Sequence, residues 1–281
     1  DVFLLAWTTP PWPLPGNTGL AVDETADYSI VELEGEGGSH RLVLAQALVS
    51  ANIKQDHNIV GTIKGSDLVG LGYTPLYDPN EFGSQVRRFV LRSGPGGMVT
   101  ELEDGGEFAP KVIAADFVSL DDGTGIVHIA PAFGDEDLGV GREKELSFVQ
   151  PVDLQGIITG NYPFAGKFVK DADEEIIEEL KGRGLLFHRD IYRHTYPFCW
   201  RCEPPLVSRA ISTWFVRIDR IKDAMLRANS QIRWLPDHIK DGRFGKWLEN
   251  ARDWAVSRNR YWGCPLPIWR NEETGETICI G

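Results

Sequence analysis

The sequence has 281 residues, of which 42% are apolar and 25% charged, so it is long enough to bury a substantial hydrophobic core. It carries 41 acidic residues against 29 basic ones, a formal net charge of −12, which argues against a protein that holds nucleic acid by overall attraction. A local basic surface remains compatible with this balance, because Arg and Lys concentrate between residues 183 and 270. No apolar run reaches the roughly 20 residues of a membrane helix, and the first residues do not have the basic-then-apolar pattern expected of a signal peptide.

Residues 28–120 are predicted to be rich in β-structure. Short runs of strand-forming residues are separated by glycine-rich turns, of which Gly35–Gly38 and Gly94–Gly97 are the clearest. Many short strands with such breaks indicate a barrel or a sandwich. A further strand opens the chain at Asp1–Trp7, and because natural proteins rarely begin inside a strand, we expect a piece of a longer protein. The other predicted strands are Tyr28–Leu33, His40–Leu44, Ile59–Ile63, Phe89–Leu91 and Lys111–Leu120.

Helices are predicted to be few. Asp171–Lys181 has acidic residues in its first turn and glycines after it, which are helix start and stop signals. The other two are Asp135–Leu146 and Gly245–Arg258, and the tryptophans of the latter fall at a helical spacing that is typical of packing. The composition changes near residue 190, from a glycine-punctuated region to one rich in Trp, Arg and Pro. The sequence therefore predicts an α+β chain, mainly β with peripheral helices, with domains at 1–190 and 191–281.

The first segment that could carry chemistry is the proline-rich stretch from residue 7 to residue 17. Thr8 and Thr9 leave a predicted strand, and the prolines that follow hold the loop in one shape without a hydrogen-bond ladder. Such a loop can place two hydroxyls and free backbone groups around a polar ligand. A rigid strand exit without a ligand explains the pattern equally well.

The second segment runs from Gly123 to Asp137. Its two glycines permit a ligand to approach the backbone closely, and a short apolar strand then leads to His128. Asp135, Glu136 and Asp137 follow at the start of a predicted helix. A carboxylate there would suit an ammonium group, and a histidine would position water or a ribose hydroxyl. A single histidine at a strand end is more often only hydrogen-bonded, so this alternative stays open.

The third segment is Cys199–Cys202, whose C-x-x-C spacing is half of a zinc knuckle. Pro204 and Pro205 follow, and a proline pair does not continue the helix that a thioredoxin-like redox motif opens. A turn that buries two thiols is the alternative. Four cysteines in all are too few for a disulfide scaffold, which favours the reducing cytoplasm. A zinc site needs two more ligands, and the spacing selects none of the four candidates: His188, His194, Cys264 and Cys279.

Together these segments resemble isoleucyl-tRNA synthetases, in the insertion (connective polypeptide 1) that splits their catalytic domain. The stretch from Trp7 is similar to the family's W-T-T-T-P-W-T-L-P-S-N, and the stretch from Gly123 is similar to G-T-G-I-V-H-x-A-P-A-F-G-x-x-D. Residues 194–202 and 257–263 match further family motifs, so the resemblance spans nearly the whole chain. No phosphate loop, dinucleotide fingerprint, nucleophile elbow or H-E-x-x-H motif competes with it.

The resemblance implies a β-barrel-like editing domain that hydrolyses valine attached in error to the isoleucine tRNA. By similarity, Asp137 holds the α-ammonium of that valine, and His128 helps to reject isoleucine and to position the terminal ribose. The resemblance implies no metal or cofactor for hydrolysis. ATP and magnesium belong to the catalytic domain, toward which residues 191–281 lead back and whose signature motifs this chain lacks. The residues expected to line the substrate site are Thr8, Thr9, Trp12, Asn17, Gly123, Thr124 and Gly125.

The chain departs from the family pattern in residues 7–17, which correspond to a threonine-rich loop of the family and are called the threonine-rich loop below. Pro10 and Pro13 stand where the family has threonines, and each change removes a hydroxyl and a backbone donor. Ile268–Asn271 also stands where relatives often have cysteines, which argues against a complete zinc knuckle. Two hypotheses follow: an editing hydrolase, or a module that docks tRNA with little hydrolysis. In both, the partners are the 3′ end of the isoleucine tRNA and the remainder of the synthetase, and the isolated domain is a cytoplasmic monomer.

Overall fold

The computed structural model describes residues 1–35, 38–94, 97–191, 195–258 and 263–280. They form two compact units, residues 1–210 and 211–281. Strand residues outnumber helical residues, which confirms the prediction of a mainly β chain with peripheral helices. The sheets in these ranges do not close into one barrel. No helix within the same ranges is long and apolar enough to cross a membrane.

Three small sheets build the first unit, with the strand orders β1-β4-β3-β5, β8-β2-β9 and β10-β6-β7. The strands are β1 (Val2–Leu4), β2 (Gly19–Val22), β3 (Asp27–Gly35), β4 (Gly38–Ala45), β5 (Asn58–Lys64), β6 (Val86–Gly94), β7 (Gly97–Asp104), β8 (Lys111–Ala114), β9 (Ile126–Ile129) and β10 (Ser147–Val149). β1 is parallel to β4 and β2 is parallel to β8, and the other pairs are antiparallel.

The predicted strands of the first unit fall within observed ones, with two exceptions. The predicted strand Lys111–Leu120 ends at Ala114, because the chain turns there and the Val118 N–H donates to the Ala115 carbonyl (3.4 Å). The opening strand is regular only as β1. Residues 36–37 and 95–96, inside two predicted glycine turns, lie outside the described residues.

The helices of the first unit are α1 (Val49–Asn52), α2 (Gly65–Leu68), α3 (Asp135–Glu143) and α4 (Val169–Gly182). α4 buries Ala172, Ile176 and Leu180 in the largest hydrophobic cluster of the unit, as the apolar spacing along it requires. α3 and α4 match predicted helices. α3 ends before the predicted Leu146, because Glu145 adopts the left-handed conformation at φ +53° and breaks the helix.

The second unit contains short elements. They are β11 (Phe215–Val216), α5 (Lys222–Gln231), α6 (His238–Asp241), α7 (Arg243–Glu249), β12 (Trp254–Ala255), β13 (Ile268–Arg270) and β14 (Thr277–Cys279). β11 pairs with β12, and β13 with β14, both antiparallel. The predicted helix Gly245–Arg258 is wrong in its second half, because the chain leaves α7 at Glu249 and then pairs β12 with β11. Trp247 and Trp254 are 62% and 66% exposed, so they form no packed stripe.

Residues 195–210 belong to the first unit, although the composition changes near residue 190. The Ala210 N–H donates to the Ala132 carbonyl (2.8 Å), and the Gln150 side-chain amide donates to the Ala210 carbonyl (2.8 Å). Val207 also packs against the largest core cluster. The boundary between the two units therefore lies about 20 residues after the change in composition.

Candidate active site

Strand β9 brings the two predicted chemical segments together. The Trp7 N–H donates to a carbonyl of β9 (3.0 Å), and Trp7 forms a parallel bridge with Val127. Because the two stretches run in the same direction, Thr8 and Thr9 leave this bridge alongside His128. The threonine-rich loop and His128 therefore meet near the carboxyl end of β9.

The turn that precedes β9 requires both of its glycines. Gly123 and Gly125 have φ angles of +68° and +74°, which side chains rarely adopt. A Cβ on Gly125 would lie 2.3 Å from the Cβ of Ala45, so the turn packs directly on the neighbouring sheet. Thr124 is buried, and its hydroxyl donates to the Ile126 carbonyl (3.2 Å). Gly123, Thr124 and Gly125, which the sequence predicts to contact substrate, therefore shape the turn that begins β9. The Thr124 hydroxyl is already hydrogen-bonded within that turn.

His128 is neutral at physiological pH. Its ring keeps some exposed surface, but its Nδ1 is buried and has no hydrogen-bond partner among the residues described. Burial lowers the pKa of His128 to about 4, because desolvation disfavours the charged imidazolium. A neutral imidazole donates from one nitrogen and accepts at the other, which suits it to orienting water or a hydroxyl group.

Asp137 lies in the first turn of α3, where the helix dipole favours a negative charge. Its Oδ2 accepts the N–H of Ala130 (2.9 Å), two residues beyond His128, which ties α3 to the end of β9. A Cβ on Gly134 would lie 2.8 Å from the Asp137 Cγ, so this glycine leaves room for the carboxylate. Burial raises the pKa of Asp137, the Ala130 N–H opposes this, and Glu136 adds to it. A carboxylate accepts about four hydrogen bonds, so capacity remains for an ammonium group.

The threonine-rich loop has one engaged hydroxyl and one exposed side chain. Thr8 Oγ1 donates to the carbonyl of Pro10 (3.0 Å), whereas the Thr9 side chain is exposed. Pro13 is buried and directly precedes the 3₁₀ turn Leu14–Gly16. Thr9 is therefore the hydroxyl that a ligand can reach directly, and the prolines stiffen the backbone that presents it.

Trp12 and Asn17, both predicted to contact substrate, lie inside the protein instead. Trp12 is 4% exposed and packs edge-on against Phe133, with ring centroids 4.8 Å apart. The Asn17 amide donates to the Gly19 carbonyl (2.8 Å), and its Oδ1 accepts from the Tyr73 hydroxyl (2.5 Å). Because both side chains are buried, they stabilise the loop from inside the protein and do not line an open site.

Two residues that position the loop carry no signal in the sequence. The Asp173 carboxylate, on α4, accepts the backbone N–H of Trp12 (3.1 Å) across 161 residues of chain. Burial raises the pKa of Asp173, and Lys170 opposes that change. Tyr73 reaches Asn17 across 56 residues. Contacts at such separations leave no local pattern, so only the folded structure shows them.

Cys199 and Cys202 lie in a turn at the surface of the first unit. Backbone N–H groups of Arg201 and Cys202, followed by the Cys202 thiol, lower the pKa of Cys199, and the same contact between thiols raises the pKa of Cys202. No group of three or more His, Cys, Asp or Glu in the described chain could hold a metal ion, and the candidate ligand His194 lies outside it. The described residues therefore do not fit a four-ligand zinc site, and zinc stays a prediction.

Comparison with known proteins identifies the family. Residues 12–281 match the family model of the class I tRNA synthetases (I, L, M and V), so the chain belongs to that family. It is 50% identical over 280 residues to the isoleucine–tRNA ligase of Dehalococcoides mccartyi (strain CBDB1), a match that covers 100% of this chain and 26% of that protein. These findings confirm the resemblance that the motifs predict.

A second relative gives the same result. The isoleucine–tRNA ligase of Bdellovibrio bacteriovorus (strain HD100) is 45% identical over 285 residues, which covers 100% of this chain and 25% of that protein. The chain thus spans about a quarter of the length of the curated relatives it matches. Among solved structures, GlLeuRS-CP1 has a TM-score of 0.48 at 17% identity, over 69% of this chain and 85% of that one.

Proposed function

We propose that this chain is an editing domain that hydrolyses the ester joining valine to the 3′-terminal ribose of the isoleucine tRNA. The observation that carries the proposal is the hydrogen bond from the Ala130 N–H to Asp137, which ties a carboxylate to the chain two residues beyond the neutral His128, at the end of β9 where Thr8 and Thr9 also leave their bridge. The similarity to isoleucine–tRNA ligases supports this choice of tRNA. The domain acts within the remainder of the synthetase, in the cytoplasm, and is monomeric when isolated.

The need for such a site follows from the substrates. One methylene group separates isoleucine from valine, and isoleucyl-tRNA synthetases are the standard example of the limited rejection, roughly 10- to 200-fold, that a hydrophobic pocket achieves. A second and smaller pocket can exclude isoleucine by its bulk and hydrolyse valine. The editing pocket therefore has to accept the smaller side chain and to hold the group that both amino acids share, the α-ammonium.

In the proposed reaction a water oxygen attacks the ester carbonyl carbon, and the bond from that carbon to the ribose oxygen breaks. The water proton passes to the ribose oxygen, so valine and a free tRNA end result. Asp137 holds the α-ammonium, and the neutral His128 orients the water or the neighbouring ribose hydroxyl. Orientation and polar stabilisation by preorganised groups, including Thr9, are the main sources of rate enhancement.

Single-turnover deacylation tests the proposal directly. Excess protein is mixed with valyl- or isoleucyl-tRNA, both made on the isoleucine tRNA, and the remaining ester is followed with time. We expect fast loss of valine while isoleucine is spared. Equal rates for both esters would contradict a sieve, and loss of neither, from a folded protein that still binds the tRNA, would reject hydrolysis.

A second candidate function is a tRNA-docking module with little hydrolysis. It is favoured by the hydrogen bond from Thr8 to the Pro10 carbonyl and by the prolines at positions 10 and 13, where the family has threonines, because both reduce the hydroxyls available in the loop. This candidate predicts normal tRNA binding together with a slow deacylation rate that Asp137→Ala leaves unchanged. The editing proposal predicts that the same substitution greatly slows the loss of valine, because the α-ammonium then has no carboxylate to hold it.

A further inference from the structure

Two arginines of the first unit meet around one neutral amide oxygen. Arg87 Nη2 donates to Gln150 Oε1 (3.2 Å), and Arg209 Nη2 donates to the same oxygen (3.3 Å). In the part of the chain that the structure describes, neither guanidinium has a carboxylate oxygen within 4.0 Å. Asp104, opposite Arg87 in the β6–β7 register, acts on it only at longer range. Two positive charges therefore lie close together, and no carboxylate of the described residues forms an ion pair with either of them.

Both guanidinium groups are held in place by the protein. The Arg87 guanidinium carbon lies 4.7 Å from the centre of the Phe148 ring, which is a cation–π geometry. Arg209 Nε donates to the Val152 carbonyl (3.2 Å), and both side chains are half-buried. Arg87 Nε is buried and has no hydrogen-bond partner among the described residues. Holding two like charges together in this way is unfavourable, and an anion bound between them would offset the cost.

The arginine pair lies next to the loop that leads to Asp137. The Ala210 N–H, one residue after Arg209, donates to the Ala132 carbonyl (2.8 Å). Ala132 lies two residues beyond Ala130, whose N–H anchors the Asp137 carboxylate. The backbone that carries Arg209 is therefore joined directly to the loop between β9 and Asp137.

We propose that Arg87 and Arg209 bind a backbone phosphate of the single-stranded 3′ end of the tRNA. Phosphate is the ligand that two guanidinium groups recognise best, because their planar sets of N–H donors match its oxygens. Each guanidinium uses only some of its five N–H donors on Gln150 and Val152, so donors remain for a phosphate. The choice of tRNA as the source of the phosphate rests on the proposed function.

Binding of a fluorescent CCA trinucleotide with a 5′ phosphate, measured by anisotropy, tests the site without hydrolysis. Arg209→Gln and Arg87→Gln are each expected to weaken binding about 10-fold or more, as loss of a charged hydrogen-bonded contact does. Arg88→Gln is the matched control, because Arg88 lies on the same strand but pairs with Glu103 (2.7 Å), and it should bind like the original chain. Arg209→Lys keeps the charge and serves as a control for a folding defect. Its affinity for the trinucleotide should lie between that of the original chain and that of Arg209→Gln.

Two further arms separate the possible outcomes. Hydrolysis of 3′-O-valyl-adenosine, which has no phosphate, should be unchanged in Arg209→Gln, whereas the KM for valyl-CCA should rise. Unchanged trinucleotide binding in both glutamine variants overturns the phosphate site, whether or not the chain hydrolyses esters. If the original chain binds the trinucleotide more tightly than the glutamine variants do but hydrolyses nothing, the editing function fails and the phosphate site stands. Inorganic phosphate that binds as tightly as the trinucleotide would show a general anion site and would overturn the assignment to RNA.

Discussion

His128, whose Nδ1 is buried and has no hydrogen-bond partner in the described part of the chain, changes how the protein responds to acid. The pKa of His128 is lowered to about 4, whereas an unfolded histidine binds its proton near pH 6.5. Between these values the unfolded chain binds more protons than the folded one, so His128 contributes stability above pH 6.5 that is lost as the pH falls toward 4. The free energy of unfolding should therefore change by at most about 1.4 kcal/mol per pH unit because of this group.

Urea unfolding from pH 4.5 to 7.5 tests this. The free energy of unfolding should depend less steeply on pH in His128→Gln than in the original chain, and substitution of the exposed His57 by Gln serves as the control. Equal slopes for the original chain and His128→Gln would contradict the buried, neutral state.

The carboxylate of Asp137 has to be ionised to hold an ammonium group. Because burial raises its pKa, deacylation of valyl-tRNA should decline with acid from a higher pH than an ordinary aspartate would give. Asp137→Asn keeps an oxygen for the Ala130 N–H but removes the charge, so we expect kcat/KM to fall roughly 10- to 100-fold, the range of a charged hydrogen bond. Glu136→Gln, on the same helical turn and exposed, should keep the rate at neutral pH and move the acid limb slightly to lower pH, because Glu136 adds to the raised pKa of Asp137.

At the scale of the elements, the turn before β9 and the helix α3 offer a matched pair of glycines. A methyl group at Gly125 meets the Ala45 Cβ at 2.3 Å and demands a left-handed backbone, so Gly125→Ala should lower the free energy of unfolding by about 2–4 kcal/mol. Gly139 lies inside α3 with open space around it, and Gly139→Ala should raise that free energy by up to about 1 kcal/mol. Urea titration of both variants measures the difference. Equal effects would mean that the turn is not packed as described.

Helix α4 supports the threonine-rich loop through Asp173. Asp173→Ala leaves the Trp12 N–H without its acceptor, which should cost about 1–3 kcal/mol of stability. Because the loop then loses its anchor, the KM for valyl-tRNA should rise and proteases should cut the loop faster. Asp171→Ala, an exposed change on the first turn of the same helix, should alter neither protease cleavage nor KM. A stable loop in Asp173→Ala would show that the prolines alone fix its shape.

The elements also show where sequence patterns succeed and where they fail. The periodicity of α4 predicts its bounds within two residues, since its apolar stripe and its acidic first turn are local features. The helical spacing of Trp247 and Trp254 misleads, because pairing of β12 with the distant β11 overrides the local preference. The chemical segments around Thr8, His128 and Asp137 can be found from the sequence. Their meeting at β9 depends on pairing between residues 7 and 127, which has no local signature.

On the scale of the whole molecule, the net negative charge disfavours RNA binding, whereas the arginine pair is proposed to favour it locally. With a net charge of −12, the chain repels RNA at long range, so Arg87 and Arg209 have to act as a local exception. We therefore expect the isolated domain to bind the isoleucine tRNA weakly, with a Kd of about 1 μM or above near physiological salt.

Salt dependence of that binding measures how many phosphates the domain contacts. A single-stranded phosphate contact contributes about −0.7 to the slope of the logarithm of the binding constant against the logarithm of salt concentration. Binding of the isoleucine tRNA, titrated across a range of KCl concentrations, should therefore show a slope that the double substitution Arg87→Gln with Arg209→Gln makes shallower by about 0.7, the share of one phosphate. Arg88→Gln removes a single charge that Glu103 already neutralises, so its slope should match the original. A salt-insensitive nanomolar affinity would contradict the expected weak binding, and an unchanged slope in the double variant would place the contacted phosphates on another surface.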